Sequence, residues 1–261
     1  MYNETINKTD DKILIAKALD KYRFAITKNK ITYTDFLTMT EIALVIKELK
    51  KQNIHNFVVY GGFENADRKI IIFFPDKFSE DMVEKNYSNI FEVIRIVLPN
   101  EISYEHREFL SGIMKLGIKR EKFGDIVVTD FGADIVALKE IAEILSDGLI
   151  GLTRFKKSKI TIENINDITN KETEYENIKI IVSSLRLDNF VSELARTSRT
   201  KAEEIIKEGR VFVNNINEIK DSKKIEINDI ITIRGKGKFI FDNIERKTNG
   251  DKFVLNLRKY K

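Results

Sequence analysis

The sequence predicts an α+β protein of three small domains, and three observations predict it. The length of 261 residues exceeds that of one ordinary domain. Apolar residues switch between helical and alternating spacing several times along the chain, which interleaves helices with strands. A polar run near residues 164–176 sets off a last third with its own charge balance. The expected parts are an N-terminal mixed α/β unit (1–75), a central βαββαβ domain (76–165), a linker (166–180) and a C-terminal domain (181–261). A hydrophobic content of 42%, with 10% aromatic residues, suffices for ordinary cores and excludes a disordered chain.

In the first part, Asp10 or Asp11 can start a helix carrying Ile13, Ala16, Leu19 and Tyr22. Thr40 can cap a second helix, in which Ile42, Val45, Ile46 and Leu49 recur at i, i+3, i+4, i+7. Residues 57–60 and 70–74 read as paired strands, joined by a turn that contains Gly61 and Gly62, and Pro75 closes the unit. Gly61, Gly62 and Gly124 are expected to permit unusual backbone angles.

The second part reads strand (91–98), helix through Phe109, Ile113 and Leu116 with Ser103 as cap, strands (126–129 and 134–136), helix (138–145), strand (159–162). In that last helix Ile141, Ile144 and Leu145 are expected to face inward. This is the split βαβ order of ferredoxin-like and RNA-recognition sheets, and of many proteins unrelated to RNA. The aromatic residues of an RNA-recognition sheet are missing, so base stacking on it is not expected.

The third part is the most informative. Leu187, Phe190, Val191 and Leu194 form one helical stripe, and Ala202, Ile205 and Ile206 another, with Ser198 as cap and Gly209 as stop. Val211 and Val213 begin a strand, and further strands are expected at 225–227, 230–233, 239–242 and 253–257, with Asn249-Gly250 as a hairpin turn. The stripes leave Arg186, Arg196, Arg199, Lys201, Lys207 and Arg210 unused by a core. A helix N-terminus among Ser198, Arg199, Thr200 and Lys201 suits a phosphate. Asn214, Lys236 and Lys238 are expected to border the same groove. The charge agrees: residues 183–261 hold 18 Lys/Arg against 12 Asp/Glu, whereas residues 1–182 hold 27 against 29.

Arg186-Leu187-Asp188, Ser198-Arg199 opening a helix, Gly209 and Val211-x-Val213-Asn214 together resemble the αL, or S4-type, RNA-binding motif. With the runs Gly61 to Lys69 and Leu116 to Ile126, the whole chain resembles the bacterial YlmH family. The resemblance implies ribosome-associated quality control, in which such proteins bind large ribosomal subunits obstructed by peptidyl-tRNA. It implies rRNA, tRNA and other quality-control factors as partners. Arg68, Lys119, Arg120 and Lys122 are expected to reach such a partner, since surface ion pairs would contribute little stability.

Catalysis finds little support. There are no cysteines, which excludes disulfides, thiolate zinc and a thiol nucleophile and fits a reducing compartment. His55 and His106 are the only histidines, with no partner at metal-ligand or nucleophile spacing. No phosphate loop or dinucleotide fingerprint occurs. Pseudouridine synthases also use Arg-Leu-Asp, but here Asn189, Phe190, Val191 and Ser192 continue a helix, so Asp188 reads as a helix-start residue paired with an Arg. The rival reading is an RNA-modifying enzyme targeted by its S4-type domain, with Asp125, Asp130 and Asp134 as its carboxylates. The expectation is a non-enzymatic cytoplasmic RNA-binding protein, with no cofactor, metal, membrane contact or small-molecule substrate.

Overall fold

Helix α1 (Tyr2–Lys28) opens the chain and starts well before Asp10. The computed structural model describes residues 2–169 and 174–260, with only the backbone of residues 2–8. Ala18 and Ala25 of α1 are buried, with Leu14, Leu19 and Tyr22 beside them, while Ile13 and Ala16 face outward. The expected stripe is therefore rotated: small alanines let the helix approach its neighbours, and packing shape outweighs the bulk of Ile13. Strands β1 (Thr32–Tyr33) and β2 (Leu37–Thr38) follow, too short for a sequence pattern to reveal. Helix α2 (Met39–Lys51) begins two residues earlier than expected. Thr38 accepts the Glu41 N–H at 3.3 Å, and the Glu41 carboxylate accepts the Thr38 N–H at 2.7 Å. That reciprocal cap satisfies two helix-end donors, which Thr40 does not do. β3 (Phe57–Tyr60) and β4 (Arg68–Phe73) form the expected hairpin, from Phe57↔Phe73 to Tyr60↔Ile70. β1 and β2 also pair with β4.

Short helices α3 (Glu80–Glu84) and α4 (Tyr87–Ile90) lead to β5 (Phe91–Val97), α5 (His106–Lys115), β6 (Phe123–Thr129), β7 (Gly132–Leu138), α6 (Lys139–Gly151) and β8 (Lys159–Asn164). The expected βαββαβ order is present, as an antiparallel sheet β6-β7-β5-β8. Helix α5 is capped by Glu105, whose N–H donates to Glu108 at 2.9 Å, and not by Ser103. In α6, Ala142, Leu145 and Leu149 face inward, whereas Ile144 is 66% exposed, contrary to expectation.

One face of this sheet, through Ile94, Ile96 and Ile135, packs on Phe109, Ile113, Leu145 and Leu149. The other face, through Phe91, Val93, Val136 and Leu138, packs on Phe36, Ile70, Ile72 and Ile165. All of β7 is buried, as its nearly continuous apolar run requires of a strand covered on both sides. Residues 1–75 and 76–165 therefore share a core, and Met1–Lys171 forms one compact unit, so the expected boundary after residue 75 does not separate two cores. Gly62 has φ +97°, and a Cβ there would lie 2.8 Å from Val136. Gly61 and Gly124 lack a positive φ; Gly124 instead packs under the Phe36 ring, 2.7 Å from where its Cβ would be.

Asp134, 1% exposed in its side chain, closes the covered face. It accepts from Arg95 Nε and Nη2 at 2.8 and 2.7 Å and from the Thr169 N–H at 2.8 Å. Burial alone would raise its pKa, but Arg95 and Thr169 hold it below the ordinary carboxylate value. Its contribution is therefore present above the unfolded carboxylate pKa of about 4 and is lost as pH falls through the lower folded value. Asp134→Ala is expected to cost this unit about 2–4 kcal/mol, the lower figure reflecting the partial exposure of Arg95. Urea unfolding at neutral pH checks the loss, and the gap between the two proteins should narrow in acid.

The second unit, Glu172–Lys261, comprises β9 (Tyr175–Val182), α7 (Leu187–Ala195), α8 (Arg199–Lys207), β10 (Val211–Val213), β11 (Ile216–Asn217), β12 (Ile230–Ile233), β13 (Gly237–Lys247) and β14 (Phe253–Tyr260). Its sheet runs β11-β10-β12-β13-β14-β9. The linker expected at 166–180 is shorter at both ends. Asp167 and Thr169 bond to Arg95, β9 begins at Tyr175, and residues 170–173 lie outside the described residues. The segment 225–227 forms no strand; Ile225 is buried and donates its N–H to Leu185 O at 2.8 Å.

Candidate nucleic-acid interface

The two C-terminal helices take their places by burying the stripes read from the sequence. Leu187, Phe190, Val191 and Ala195 of α7 and Ala202, Ile205 and Ile206 of α8 join one core with Val211, Ile231, Phe239 and Leu255. Ser198 caps α8 by accepting the Lys201 N–H at 3.2 Å, and Gly209, at φ +70°, turns the chain after it.

At the N-terminus of α7 lies Asp188, with no exposed side-chain surface. Arg186 reaches its carboxylate at 2.7 Å and Arg199, from the first turn of α8, at 2.8 Å. Both arginines donate through Nε and Nη2, while 38% and 54% of their side chains stay exposed. One buried anion thus fixes two partly exposed cations and ties the two helices together. Burial alone would raise the Asp188 pKa; Arg186 and then Arg199 hold it below the ordinary value. The Asp188 carboxylate is thus fully engaged as the structural partner of the two arginines.

Not every sequence candidate is free. Lys201 pairs with Glu204 at 2.6 Å, and Arg210 lies 3.5 Å from Glu208 and donates to Arg234 O at 3.3 Å. Asn214, at φ +50°, holds the turn before β12: its amide donates to Asp229 at 2.7 Å and its carbonyl accepts the Ile230 N–H at 2.9 Å. Both ends of its amide are thus engaged in holding this turn. Lys238 is half-buried with its ammonium 4.5 Å from the centre of the Tyr260 ring. Arg196, Ser198, Thr200, Lys207 and Lys236 are exposed. Arg196 and Lys236 line one cleft, whereas Lys207 lies at the far end of α8 from Arg199, about 12 Å away at the helical rise. The single face expected from sequence is thus two groups of cations and an outlier.

Sequence reading missed Lys220, Lys223 and Lys224. All three are exposed and carry no ion pair among the described residues. Their loop is bonded to the start of α7: Lys223 O accepts the Leu187 N–H at 2.8 Å and Asp221 O accepts the Asp188 N–H at 3.0 Å. The signal was the run Lys220-Asp221-Ser222-Lys223-Lys224, hidden because loop lysines have no periodicity to mark them.

Arg68, Arg120 and Lys122 of the first unit bond internally. Arg120 donates to Phe123 O and Gly124 O at 2.7 and 3.0 Å and sits over the Phe123 ring. Burial, and then the like charge of Arg68, lowers its pKa to about 10. Lys122 pairs with Asp35 at 2.7 Å, and Arg68 donates to Phe36 O at 3.0 Å. All three thus make contacts within the first unit, whereas Lys119 is exposed. The carboxylates of the rival reading are dispersed in the same way. Asp125 accepts the backbone N–H groups of Asp67 and Arg68, Asp134 is held by Arg95, and Asp130 is exposed on a turn. His55 and His106 are exposed. No helix among the described residues is long and apolar enough to cross a membrane.

Comparison with known proteins adds four findings. Residues 82–170 match the family described as a putative RNA-binding domain in YlmH, and residues 185–231 match the S4 domain. The chain is 29% identical over 258 residues to the ribosome-associated protein quality control protein P2 of Bacillus subtilis (strain 168), covering 97% of each. It is similar, at TM-score 0.45 and 19% identity, to the cell division protein ylmH from Streptococcus pneumoniae, over 61% of this chain and 95% of that one.

Proposed function

We propose that this chain, which belongs to the YlmH family of S4-domain proteins, is a non-enzymatic RNA-binding factor. Its target is the large ribosomal subunit that still carries peptidyl-tRNA. The observation that carries the reading is the Arg186–Asp188–Arg199 cluster. A carboxylate with no exposed surface holds two guanidinium groups in fixed positions, each with surface left for solvent or a phosphate. Fixed guanidinium groups lose less conformational freedom on binding than free ones. The lysines at 220, 223 and 224 add charge beside the same helix start. Structured RNA is recognised largely through shape and its sugar–phosphate chain, which suits cations set on a rigid helix pair.

The near full-length similarity to a protein named for ribosome-associated quality control supports the ribosomal target. In this reading Arg186, Arg199, Ser198 and Thr200 face the backbone of folded RNA, with Arg196, Lys207 and Lys236 further out. The work comes from binding: the factor holds tRNA or rRNA in place while another protein performs chemistry.

Co-sedimentation with purified ribosomal subunits tests this. The protein is expected to pellet with large subunits, more strongly when they carry peptidyl-tRNA, and to be released by added salt. Equal binding to small subunits, or binding to large subunits indifferent to salt, would count against it.

A further inference from the structure

The second group of cations lines a cleft of about 530 Å³, large enough for a small ligand. Its apolar wall consists of Ile178, Ile180, Leu194 and Phe239; around it stand Lys179, Arg196, Lys236 and Lys259, against Glu176 and Glu193. Lys179 and Lys259 are drawn toward Glu245 and Glu176, at 2.6 and 3.8 Å. Arg196 and Lys236 are exposed and carry no carboxylate partner among the described residues. Arg196 sits in the left-handed conformation, φ 52° and ψ 60°, at the end of α7, where the helix stops and its side chain is left at the cleft. Much of the lining comes from β9, β13 and β14, which lie largely outside the segment 185–231 matched to the S4 domain.

We propose that this cleft receives one unpaired nucleotide of the bound RNA. The base would lie against Leu194, Ile178 and the edge of Phe239, and the adjoining phosphates would meet Arg196 and Lys236. Two features select this occupant. The surplus of positive charge around the cleft complements a polyanion, and the apolar wall has no use in gripping a paired backbone. Unpaired RNA bases characteristically leave their stack for apolar or aromatic side chains, gaining more than a phosphate contact alone supplies. The inference deepens the RNA-binding reading and rests on it.

The test uses the full chain and two fluorescein-labelled RNA hairpins, one fully paired and one with a single bulged uridine. Wild type is expected to bind the bulged hairpin about tenfold more tightly. The double variant Arg196→Asn, Lys236→Gln should weaken both hairpins and should abolish most of that difference, the bulged hairpin losing about tenfold more affinity than the paired one. Asn tolerates the left-handed conformation, so the end of α7 is preserved; an unchanged melting temperature verifies the fold. A 4-thiouridine at the bulge should crosslink to peptides containing residues 176–180, 193–196 or 236–239. Equal binding of both hairpins by wild type, or a crosslink elsewhere, overturns the cleft assignment while RNA binding stands. If neither hairpin binds, the RNA-binding reading falls with it.

Discussion

Asp188→Ala is expected to destabilise the C-terminal unit by about 2–3 kcal/mol. Removing one partner of a buried ion pair costs about 3–5 kcal/mol when the survivor remains buried, and the partial exposure of both arginines reduces that figure. For a unit of this size the loss corresponds to a fall in Tm of roughly 10–20 °C. RNA affinity should fall as well, since the two guanidinium groups lose their common anchor. The pH dependence follows from the lowered Asp188 pKa. Its stabilising effect is complete above the unfolded carboxylate value of about 4 and disappears as pH drops through the lower folded value. Calorimetry of wild type and variant should give widely spaced transitions at pH 7 and converging ones near pH 2. An unchanged Tm at neutral pH would mean that the cluster holds nothing together.

RNA affinity is expected to fall steeply with salt. If about five phosphates are neutralised, log K should drop by roughly 3.5 to 4.5 for each decade of monovalent salt. Between 50 and 200 mM that amounts to a loss of at least about a hundredfold. Lys223→Ala combined with Lys224→Ala should reduce the slope by about 2 and leave Tm unchanged, because both side chains are exposed and unpaired among the described residues. Fluorescence anisotropy across a salt series measures both slopes. A flat series for wild type would remove the electrostatic basis of the proposed function. Arg199 is a poorer probe of phosphate contact than its position in the motif suggests: it also holds Asp188, so Arg199→Ala should lower Tm and affinity together.

The sequence made the C-terminal helix pair legible because each helix buries a clear stripe and α8 carries both a side-chain cap, Ser198, and a terminal glycine, Gly209. The central βαββαβ order was legible for a similar reason, since its strands are long and apolar. What stayed hidden depends on contacts distant along the chain. The phase of α1 is set by two alanines that pack closely, and the boundary after residue 75 vanishes because Phe36, Ile70 and Ile72 reach the far face of a sheet that follows them. For the candidate site, motif spacing located Arg186, Ser198 and Arg199 but not which cations already have partners. Lys201, Arg120 and Lys122 look free in a string of letters and are paired in space. The lysines of the loop at 220–224 carry no pattern and emerge only from the bonds joining that loop to α7.

The doubly covered central sheet makes the first 75 residues an inseparable lid. Strip them away, and Phe91, Val93 and Val136 would become a bare greasy surface inviting self-association. A fragment cut to residues 82–170, the span that the family match would suggest to an experimenter, should self-associate and precipitate. Trimming from the other end, before Glu172, preserves that lid and is the safer dissection.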